Sequence, residues 1–322
     1  MGIRCLNRYF TQSCKKTSIE KKPLTYLTGK FIVIDVSIYI YKYISQNALH
    51  ENLYQMLSMF KKYEITPLFI FDGKPPPEKK DTLQKRHLLK VDAESKYNNL
   101  NIELSKTTDD DAREAIINDM EQLRRQFVRV KDSDIESVKQ IMDAFGVAYL
   151  NAEGEADKVC ASIQLDNKHN CFACMSDDMD MFVYGCSRVI RHFSLANETV
   201  LVYNTEDILN DLKIPFTMFK QIAILSGTDY NTNDNISLYE TLKWYKEFSS
   251  DESNIGTHTN QFIFYEWLHR NTKYIRNFDH LIEIHKLFDV DMHITKEDYK
   301  TNNVYSNIKI RKIMDQYGFI FV

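Results

Sequence analysis

Two short apolar runs, each ending on an aspartate, most constrain the fold of this chain. They read FIVID at 31–35 and PLFIFD at 67–72, so Asp35 and Asp72 are their last residues. Apolar runs of this length without polar alternation are typical of strands buried on both faces of a sheet. Because helices must then cover both faces, the pattern favours an α/β fold with a mostly parallel central sheet.

Further candidate strands and helices alternate along the chain. The candidate strands lie at 147–150, 171–176, 188–193 and 199–203. The candidate helices lie at 38–45, 52–63, 134–145, 154–165 and 216–226. Strands alternating with amphipathic helices predict parallel pairing with helical crossovers.

A charged stretch without strand signals interrupts this pattern from 74 to 130. It predicts two helices, from about 78 to 104 and from about 110 to 130, joined by a polar SKTTDD segment. Such a hairpin is too charged to be buried, so we expect it to project into solvent. We divide the chain into an α/β core at 1–73 and 131–230, the helical insertion at 74–130, and a C-terminal helical region at 231–322.

Composition excludes several classes of protein. With 43% hydrophobic and 27% charged residues, and a net charge of −4, the chain is neither disordered nor fibrous. It has no apolar run of the roughly 18 residues that a membrane helix needs, and its N-terminus lacks a secretory signal. Six scattered cysteines indicate reduced thiols, and the lone Cys171/Cys174 pair lies in a buried-strand pattern. We expect an intracellular protein that is neither secreted nor bound to a membrane.

Seven acidic residues follow strands or flank helices in the predicted core. They are Asp35, Asp72, Glu155, Asp157, Asp178, Asp180 and Asp229. The carboxyl ends of parallel strands are where ligands bind in open α/β sheets. Carboxylates that converge there repel one another and require a cation. Mg²⁺ prefers such oxygen ligands, and two ions about 4 Å apart can stabilise the attacking and leaving oxygens of a phosphodiester displacement.

The alternative interpretation is that each acid is an ordinary cap or turn residue. That interpretation suits any one of them alone. It is weaker for the set, because exposed acids have no physical reason to follow the most apolar strands so closely. Without these seven acids the rest of the chain would carry a net charge of +3.

Six short motifs occur in an order that resembles the flap endonuclease and Rad2/XPG family of structure-specific 5′ nucleases. They are Met1-Gly2-Ile3, Ile34-Asp35-Val36-Ser37 with Tyr39 and Tyr41, Phe71-Asp72-Gly73-Lys74-Pro75-Pro76, Glu153-Gly154-Glu155-Ala156-Asp157, Asp177-Asp178-Met179-Asp180 and Gly227-Thr228-Asp229-Tyr230. The resemblance implies a PIN-like nuclease core in which the helical insertion is an arch that admits a single-stranded 5′ end.

The resemblance also implies roles for individual residues. The seven acids would hold two Mg²⁺ ions, with Mn²⁺ as a substitute, and Asp180 would be catalytic together with Lys79 and Arg86. Asp157 stands where cellular members usually carry Glu. The residues implied to contact DNA are Gly2, Tyr41, Lys79, Arg86 and Lys90. The alternatives are a solvated charged helix face for the three cations and a core position for Tyr41.

Two features of the family pattern are missing. The cellular enzymes hold duplex DNA with a helix-turn-helix element that has a glycine-rich turn, but here no glycine lies between Gly227 and Gly256. Asn and Asp can adopt left-handed conformations, so a degenerate turn at 231–237 stays open. The ending QYGFIFV lacks a clamp-binding motif, so no sliding-clamp partner is predicted. Shortened forms of this kind resemble nucleases of large DNA viruses, which implies a nuclear or a cytoplasmic viral replication site.

These observations predict a divalent-metal-dependent, structure-specific 5′ nuclease. Its substrate would be DNA with a 5′ single-stranded end or branch, in replication, repair or recombination, and the family allows a 5′–3′ exonuclease activity as well. One alternative is a branched-DNA-binding protein that no longer cuts, which the survival of all seven acids disfavours. The other is an RNA-directed nuclease with a PIN-like core, which the arch and the FDGKPP motif disfavour.

Overall fold

Seven strands form one mixed sheet in the computed structural model, which describes residues 2–231, 236–250, 261–301 and 304–321. The strands are β1 (Ile19–Pro23), β2 (Phe31–Asp35), β3 (Thr66–Phe71), β4 (Ala148–Asn151), β5 (Ala173–Met175), β6 (Arg188–Ser194) and β7 (Thr199–Asn204). Their spatial order is β1-β7-β6-β5-β2-β3-β4. The strands from β6 to β4 pair in parallel, whereas β7 and β1 are antiparallel at one edge. The α/β prediction with a mostly parallel sheet is therefore confirmed.

Helices surround the sheet. In the described part of the chain they are α1 (Leu6–Ser13), α2 (Val36–Ser45), α3 (Leu49–Lys62), α4 (Lys80–Leu104), α5 (Asp110–Gln126), α6 (Asp132–Phe145), α7 (Ala156–Leu165), α8 (Asp180–Val183), α9 (Thr205–Leu212), α10 (Phe216–Leu225), α11 (Leu238–Ser250), α12 (Ile263–Asn271), α13 (Phe278–Leu287) and α14 (Asn307–Gln316). Short 3₁₀ turns occur at Leu24–Leu27, Pro77–Lys79, Asn167–His169 and Lys296–Asp298. Within the described ranges, no helix is both long and apolar enough to cross a lipid bilayer.

The sheet separates two hydrophobic cores, one on each face. Val33 of β2 points into the core that contains α1, α7 and α10, and its neighbours Ile32 and Ile34 point into the core that contains α2, α3 and α6. Successive side chains of a strand point to opposite faces, so a strand covered on both sides must be apolar throughout. This explains the uninterrupted FIVID run.

The charged insertion forms the helix pair α4 and α5. The two helices pack against each other, with a ring contact of 5.4 Å between the centroids of Tyr97 and Phe127. Ala93 and Met120 are among its few buried apolar residues, whereas Leu88 and Leu89 are exposed. The insertion is thus a projecting helical arch with little core of its own.

The C-terminal region packs on both faces of the sheet. Leu268 and Leu281 join the core on the α10 side, and Ile310 and Met314 of α14 join the other core. The degenerate turn expected at 231–237 lies largely outside the described residues, since 232–235 are not among them.

A tight backbone contact brings the loop after β3 against the start of α7. The amide of Gly73 donates to the carbonyl of Gly154 at 2.7 Å, and the amide of Lys74 donates to the carbonyl of Glu153 at 3.0 Å. A Cβ atom at Gly73 would lie 2.1 Å from the carbonyl oxygen of Ala152. Only glycine permits this approach, which places the end of β3 beside the first turn of α7.

We expect Gly73→Ala to destabilise the fold, because the new methyl group meets backbone atoms that cannot rotate away. Overpacking of this kind costs about 1–3 kcal/mol in the free energy of unfolding, measurable by urea denaturation. Gly154→Ala is the matched control, since its Cβ would meet only one atom, the carbonyl oxygen of Lys74 at 4.0 Å. Equal stability of the two variants would contradict the close approach.

Candidate active site

The sheet order brings the acidic residues to one edge. Strands β5, β2 and β3 are neighbours and run parallel, so the residues after their carboxyl ends meet above the same edge. Asp35 ends β2, Asp72 directly follows β3, and Asp178 follows β5 by three residues. The other four acids arrive from helices: Glu155 and Asp157 at the start of α7, Asp180 at the start of α8, and Asp229 after α10. The structure therefore brings all seven sequence-predicted acids into one cleft.

Burial makes this cleft electrostatically unfavourable. Asp35, Asp178 and Asp180 are between 5% and 7% exposed. Burial, followed by the nearby carboxylates of Asp72 and Asp178, raises the pKa of Asp35 to about 8. Burial and neighbouring carboxylates likewise raise the pKa of Asp157 and Asp180 well above their ordinary values. Without added positive charge, the cleft favours protonated carboxyl groups.

A chain of hydrogen bonds orients the carboxylates at the ends of β2 and β5. Asp35 Oδ1 accepts from the amide of Ser37 at 3.1 Å, and its Oδ2 accepts from the hydroxyl of Ser176 at 3.3 Å. The Ser176 hydroxyl also accepts from the amide of Asp178 at 3.1 Å, and Asp178 Oδ1 accepts from the amide of Asp180 at 3.0 Å. Asp35 is thus the N-cap of α2, as the alternative of an ordinary capping residue predicts. Its second carboxylate oxygen, Oδ2, nevertheless belongs to the acidic cleft.

Two cations at the base of the arch enter the cleft. Lys79 forms an ion pair with Glu155 and lies 3.3 Å from Asp229 Oδ2, while Arg86 Nη2 lies 2.7 Å from both carboxylate oxygens of Asp229. Burial lowers the pKa of Lys79, but the carboxylates of Glu155 and Asp229 outweigh it and raise the pKa above the usual range. The hydroxyl of Thr82 donates to the backbone carbonyl of Asp229. These ion pairs, together with the Thr82 hydrogen bond, hold the base of the arch against the acidic cleft.

Some carboxylate oxygens lack a protein partner. Asp157 Oδ1 and Asp180 Oδ1 are buried and accept no hydrogen bond among the described residues. Across the described ranges, no three carboxylate, imidazole or thiol groups gather into a ready-made metal cage. Mg²⁺ is usually held by a few carboxylates, waters and substrate phosphates and not by a complete protein cage. A donor set made only of carboxylate oxygens fits Mg²⁺ or Mn²⁺ better than zinc.

Gly2 lies directly against these acids. Its φ is +73°, and a Cβ atom there would lie 2.3 Å from Asp178 Oδ1 and 2.6 Å from Asp180 Oδ1. The sequence resemblance assigns this glycine to DNA contact. The structure adds a second reason for glycine, because any side chain at this position would displace two carboxylates.

Tyr41 and Lys90 form a separate pair beside the cleft. Lys90 Nζ lies 5.1 Å from the centroid of the Tyr41 ring and donates to the carbonyl of Val128 at 3.0 Å. Burial and the nearby Arg129 and Arg86 lower the pKa of Lys90. Tyr41 is 46% exposed, so the alternative of a core aromatic is wrong.

Tyr230 is a site residue that sequence reasoning did not single out. Its hydroxyl donates to Glu155, and its ring centroid lies 6.0 Å from Lys79 Nζ. Tyr230 directly follows Asp229 in the Gly227–Tyr230 motif, which was the only available signal. Its partner Glu155 lies 75 residues away in the chain, so no local pattern could reveal the contact.

Two domain models of a single family match the chain. The XPG N-terminal domain matches residues 1–93 and the XPG I-region matches residues 146–229, together more than half of the sequence. The chain belongs to the XPG/Rad2 family. The family resemblance seen in the sequence is thus confirmed, and this XPG-family chain is a structure-specific 5′ nuclease that hydrolyses phosphodiester bonds.

Two similar proteins are flap endonucleases. The chain is 28% identical to flap endonuclease 1 of Methanococcus aeolicus over 248 residues, which is 72% of this chain and 69% of that protein. It is 29% identical to flap endonuclease 1-B of Oryza sativa subsp. indica over 252 residues, which is 72% of this chain and 58% of that protein. The XPG-family chain therefore spans 58% to 69% of the length of these two relatives.

Solved structures share the fold at low sequence identity. The catalytic core of Rad2 in complex with a DNA substrate has a TM-score of 0.64 at 18% identity, covering 99% of this chain and 96% of that chain. Human GEN1 in complex with Holliday junction DNA has a TM-score of 0.61 at 16% identity, covering 99% and 74%. Flap endonuclease-1 of Methanococcus jannaschii has a TM-score of 0.56 at 18% identity, covering 93% and 96%. The PIN-like nuclease fold is thereby confirmed.

We expect the metal-free XPG-family chain to lose stability as the pH rises from the ordinary carboxyl range, about 4, toward the pKa of about 8 for Asp35. A carboxyl group with a raised pKa in the folded state holds its proton more tightly there, so its deprotonation favours unfolding. Thermal melts in EDTA across this range test the expectation, with Ca²⁺ restoring Tm most strongly at the upper end. A Tm in EDTA that rises with pH throughout the range would contradict it.

We expect Gly2→Ala to weaken stabilisation by Ca²⁺, because its methyl group would displace Asp178 and Asp180. Gly318→Ala is matched in backbone strain, since Gly318 also has φ +73° but a Cβ there would meet nothing within 4 Å. Each variant should lose about 1 kcal/mol of stability from left-handed strain. Only Gly2→Ala should reduce the rise in Tm on adding Ca²⁺, and an equal reduction in both variants would refute the contact.

Proposed function

We propose that this nuclease is divalent-metal-dependent and cuts branched DNA that carries a 5′ single-stranded end. The observation that carries the proposal is the cleft of seven acids closed on one side by Lys79 and Arg86 of the arch. Surplus buried carboxylate charge supports a metal-binding role, and cations beside it support binding of a phosphate. The similarity to Rad2 and GEN1 structures solved with DNA supports DNA as the polymer.

The acids would hold the metal ions. Asp157 and Asp180, which have buried oxygens without a protein partner, are the clearest candidates, together with Asp35, Asp178 and Asp72. When bound, Mg²⁺ or Mn²⁺ would supply the positive charge that activates water and stabilises a phosphorane-like transition state. Glu155 and Asp229, which pair with Lys79 and Arg86, would complete the set.

The two arch cations would act on the scissile phosphate. Lys79 and Arg86 stand within ion-pair distance of Glu155 and Asp229, so they border the space that the acids enclose. A guanidinium or ammonium group placed there binds a phosphate and stabilises charge that develops on its oxygens. The exposed ring of Tyr41, with Lys90 above it, offers a stacking face and a cation for the neighbouring nucleotide.

Charge also limits how this chain binds DNA. The net charge is −4 and the cleft is acidic, so the cleft repels phosphate when no divalent ion is present. The segment 231–237 has neither a glycine nor a basic residue. We infer that divalent ions bridge the cleft to DNA and that the duplex is held less firmly than by a glycine-rich turn.

The deciding experiment is cleavage of a 5′-labelled flap duplex with Mg²⁺ or with EDTA. We expect release of the flap only with Mg²⁺, and a loss of about 100-fold or more in rate for Asp180→Ala and for Lys79→Ala, the size seen when one charge-stabilising group is removed. Lys80→Ala is the matched control, because Lys80 is exposed and forms no ion pair within the described residues.

The alternatives give different results in the same assay. A protein that binds flap DNA in Ca²⁺ but never cuts it with Mg²⁺ or Mn²⁺ would be the non-cleaving module. Faster cutting of an RNA flap than of a DNA flap would favour the RNA-directed enzyme. Wild-type rates for Asp180→Ala would overturn the assignment of the acidic cleft as the catalytic centre.

A further inference from the structure

Arg191 is a buried arginine without an acidic partner. It is 6% exposed, and no carboxylate within the described residues lies at ion-pair distance from it. Its Nη1 donates to Asn7 Oδ1 at 2.8 Å and its Nη2 donates to the backbone carbonyl of Asp177 at 2.9 Å, while its buried Nε has no partner. Its Cζ also lies 5.5 Å from the centroid of the Tyr203 ring. A buried charge whose partners are all neutral is costly, so its retention calls for an explanation.

A bulge in β6 directly follows Arg191. The pairing of β6 with β7 shifts register between Arg191 and Ser194, and His192 has φ +53°. The amide of His192 donates to Asp177 Oδ1 at 2.8 Å, which fixes the bulge to the turn after β5. Bulges next to active sites commonly re-aim a side chain. Arg191 keeps its regular pairing with Leu201 and is buried on the strand face of Val189, whereas His192 in the bulge is exposed.

The guanidinium joins two segments that meet at the acidic cleft. Asn7 belongs to α1, whose preceding loop places Gly2 against the carboxylates of Asp178 and Asp180. Asp177 directly precedes Asp178 in the chain. The hydroxyl of Tyr203 in β7 donates to the same Asn7 oxygen at 2.8 Å, which fixes the acceptor in place.

We propose that Arg191 is a positioning residue that sets the spacing between Gly2 and the Asp178–Asp180 turn. Its guanidinium group binds Asn7 of α1 and the backbone of Asp177 at the same time. Arg191 thereby fixes the shape of the carboxylate cluster without contacting the carboxylates themselves. Its positive charge also offsets part of the negative charge of the cleft. The inference rests on the proposed function, because the cluster matters only if it binds the divalent ions that cleavage requires.

The test is Arg191→Met in the full chain, compared with Arg188→Met. Arg188 lies on the same strand, donates to the carbonyl of Phe172 at 2.9 Å and stacks on that ring at 4.2 Å, but it does not touch α1 or the acidic turn. We expect Arg191→Met to weaken Ca²⁺ binding, followed by calorimetry, and to raise the Mg²⁺ concentration for half-maximal flap cleavage, each about tenfold. The KM for DNA should stay within twofold, and Arg188→Met should change neither metal measurement.

Two further variants separate positioning from folding. Arg191→Lys keeps the charge but lacks the planar fork whose Nη1 and Nη2 donate to Asn7 and Asp177, so it should show a metal defect close to that of Arg191→Met. Asn7→Ala breaks the link from the other side, and combining it with Arg191→Met should add little, as expected for one shared contact. If Arg191→Met does not fold, these two single variants carry the test.

Unchanged Ca²⁺ affinity in Arg191→Lys and Asn7→Ala would overturn the inference, whatever their melting temperatures. The Ca²⁺ measurement does not depend on cleavage. A wild-type protein that binds Ca²⁺ but cuts no DNA would therefore refute the proposed function, while a variant defect in Ca²⁺ affinity would still support the positioning role.

Discussion

The carboxylates at one edge of the sheet repel one another, and the surrounding structure is arranged to offset this repulsion. Burial, followed by the nearby carboxylates of Asp72 and Asp178, raises the pKa of Asp35 to about 8. Lys79 and Arg86 bring positive charge from the arch to the cleft, Ser176 donates a hydroxyl, and Gly2 leaves room for two acids. The arch base and the N-terminal segment are therefore parts of one electrostatic arrangement and not independent attachments to a nuclease core.

The fold could be predicted from sequence where burial alone decides the pattern. The runs at β2 and β3 are apolar because helices cover both faces, so the strands and the parallel sheet were recognisable. Strand β1 was not, since Ile19–Pro23 has two lysines and a proline that only an edge strand accommodates. Helix α1 was also missed, because its apolar side consists of little more than Leu6 and Phe10.

The candidate site was recognisable from its acids but not from the groups that arrange them. Acids that end apolar strands are visible locally, and the sheet order then brings them together. Tyr230 and Arg191 reach their partners across 75 and 184 residues of chain, through a hydroxyl and a guanidinium group that leave no periodic signal. The sequence also placed Lys79 within the arch helix, whereas it lies in the 3₁₀ turn just before α4.

The edge pairing of β1 has a consequence for how this chain folds. Strand β1 pairs with β7, from Ile19 opposite Tyr203 to Pro23 opposite Thr199, and Asn7 meets Arg191 of β6. The first segment of the chain thus has no docking surface until nearly two thirds of the sequence is present. Contacts between such distant residues form slowly, because closing a long loop costs entropy before any contact compensates it. The N-terminal segment, which carries Gly2, can therefore take its place at the cleft only after β6 and β7 have formed.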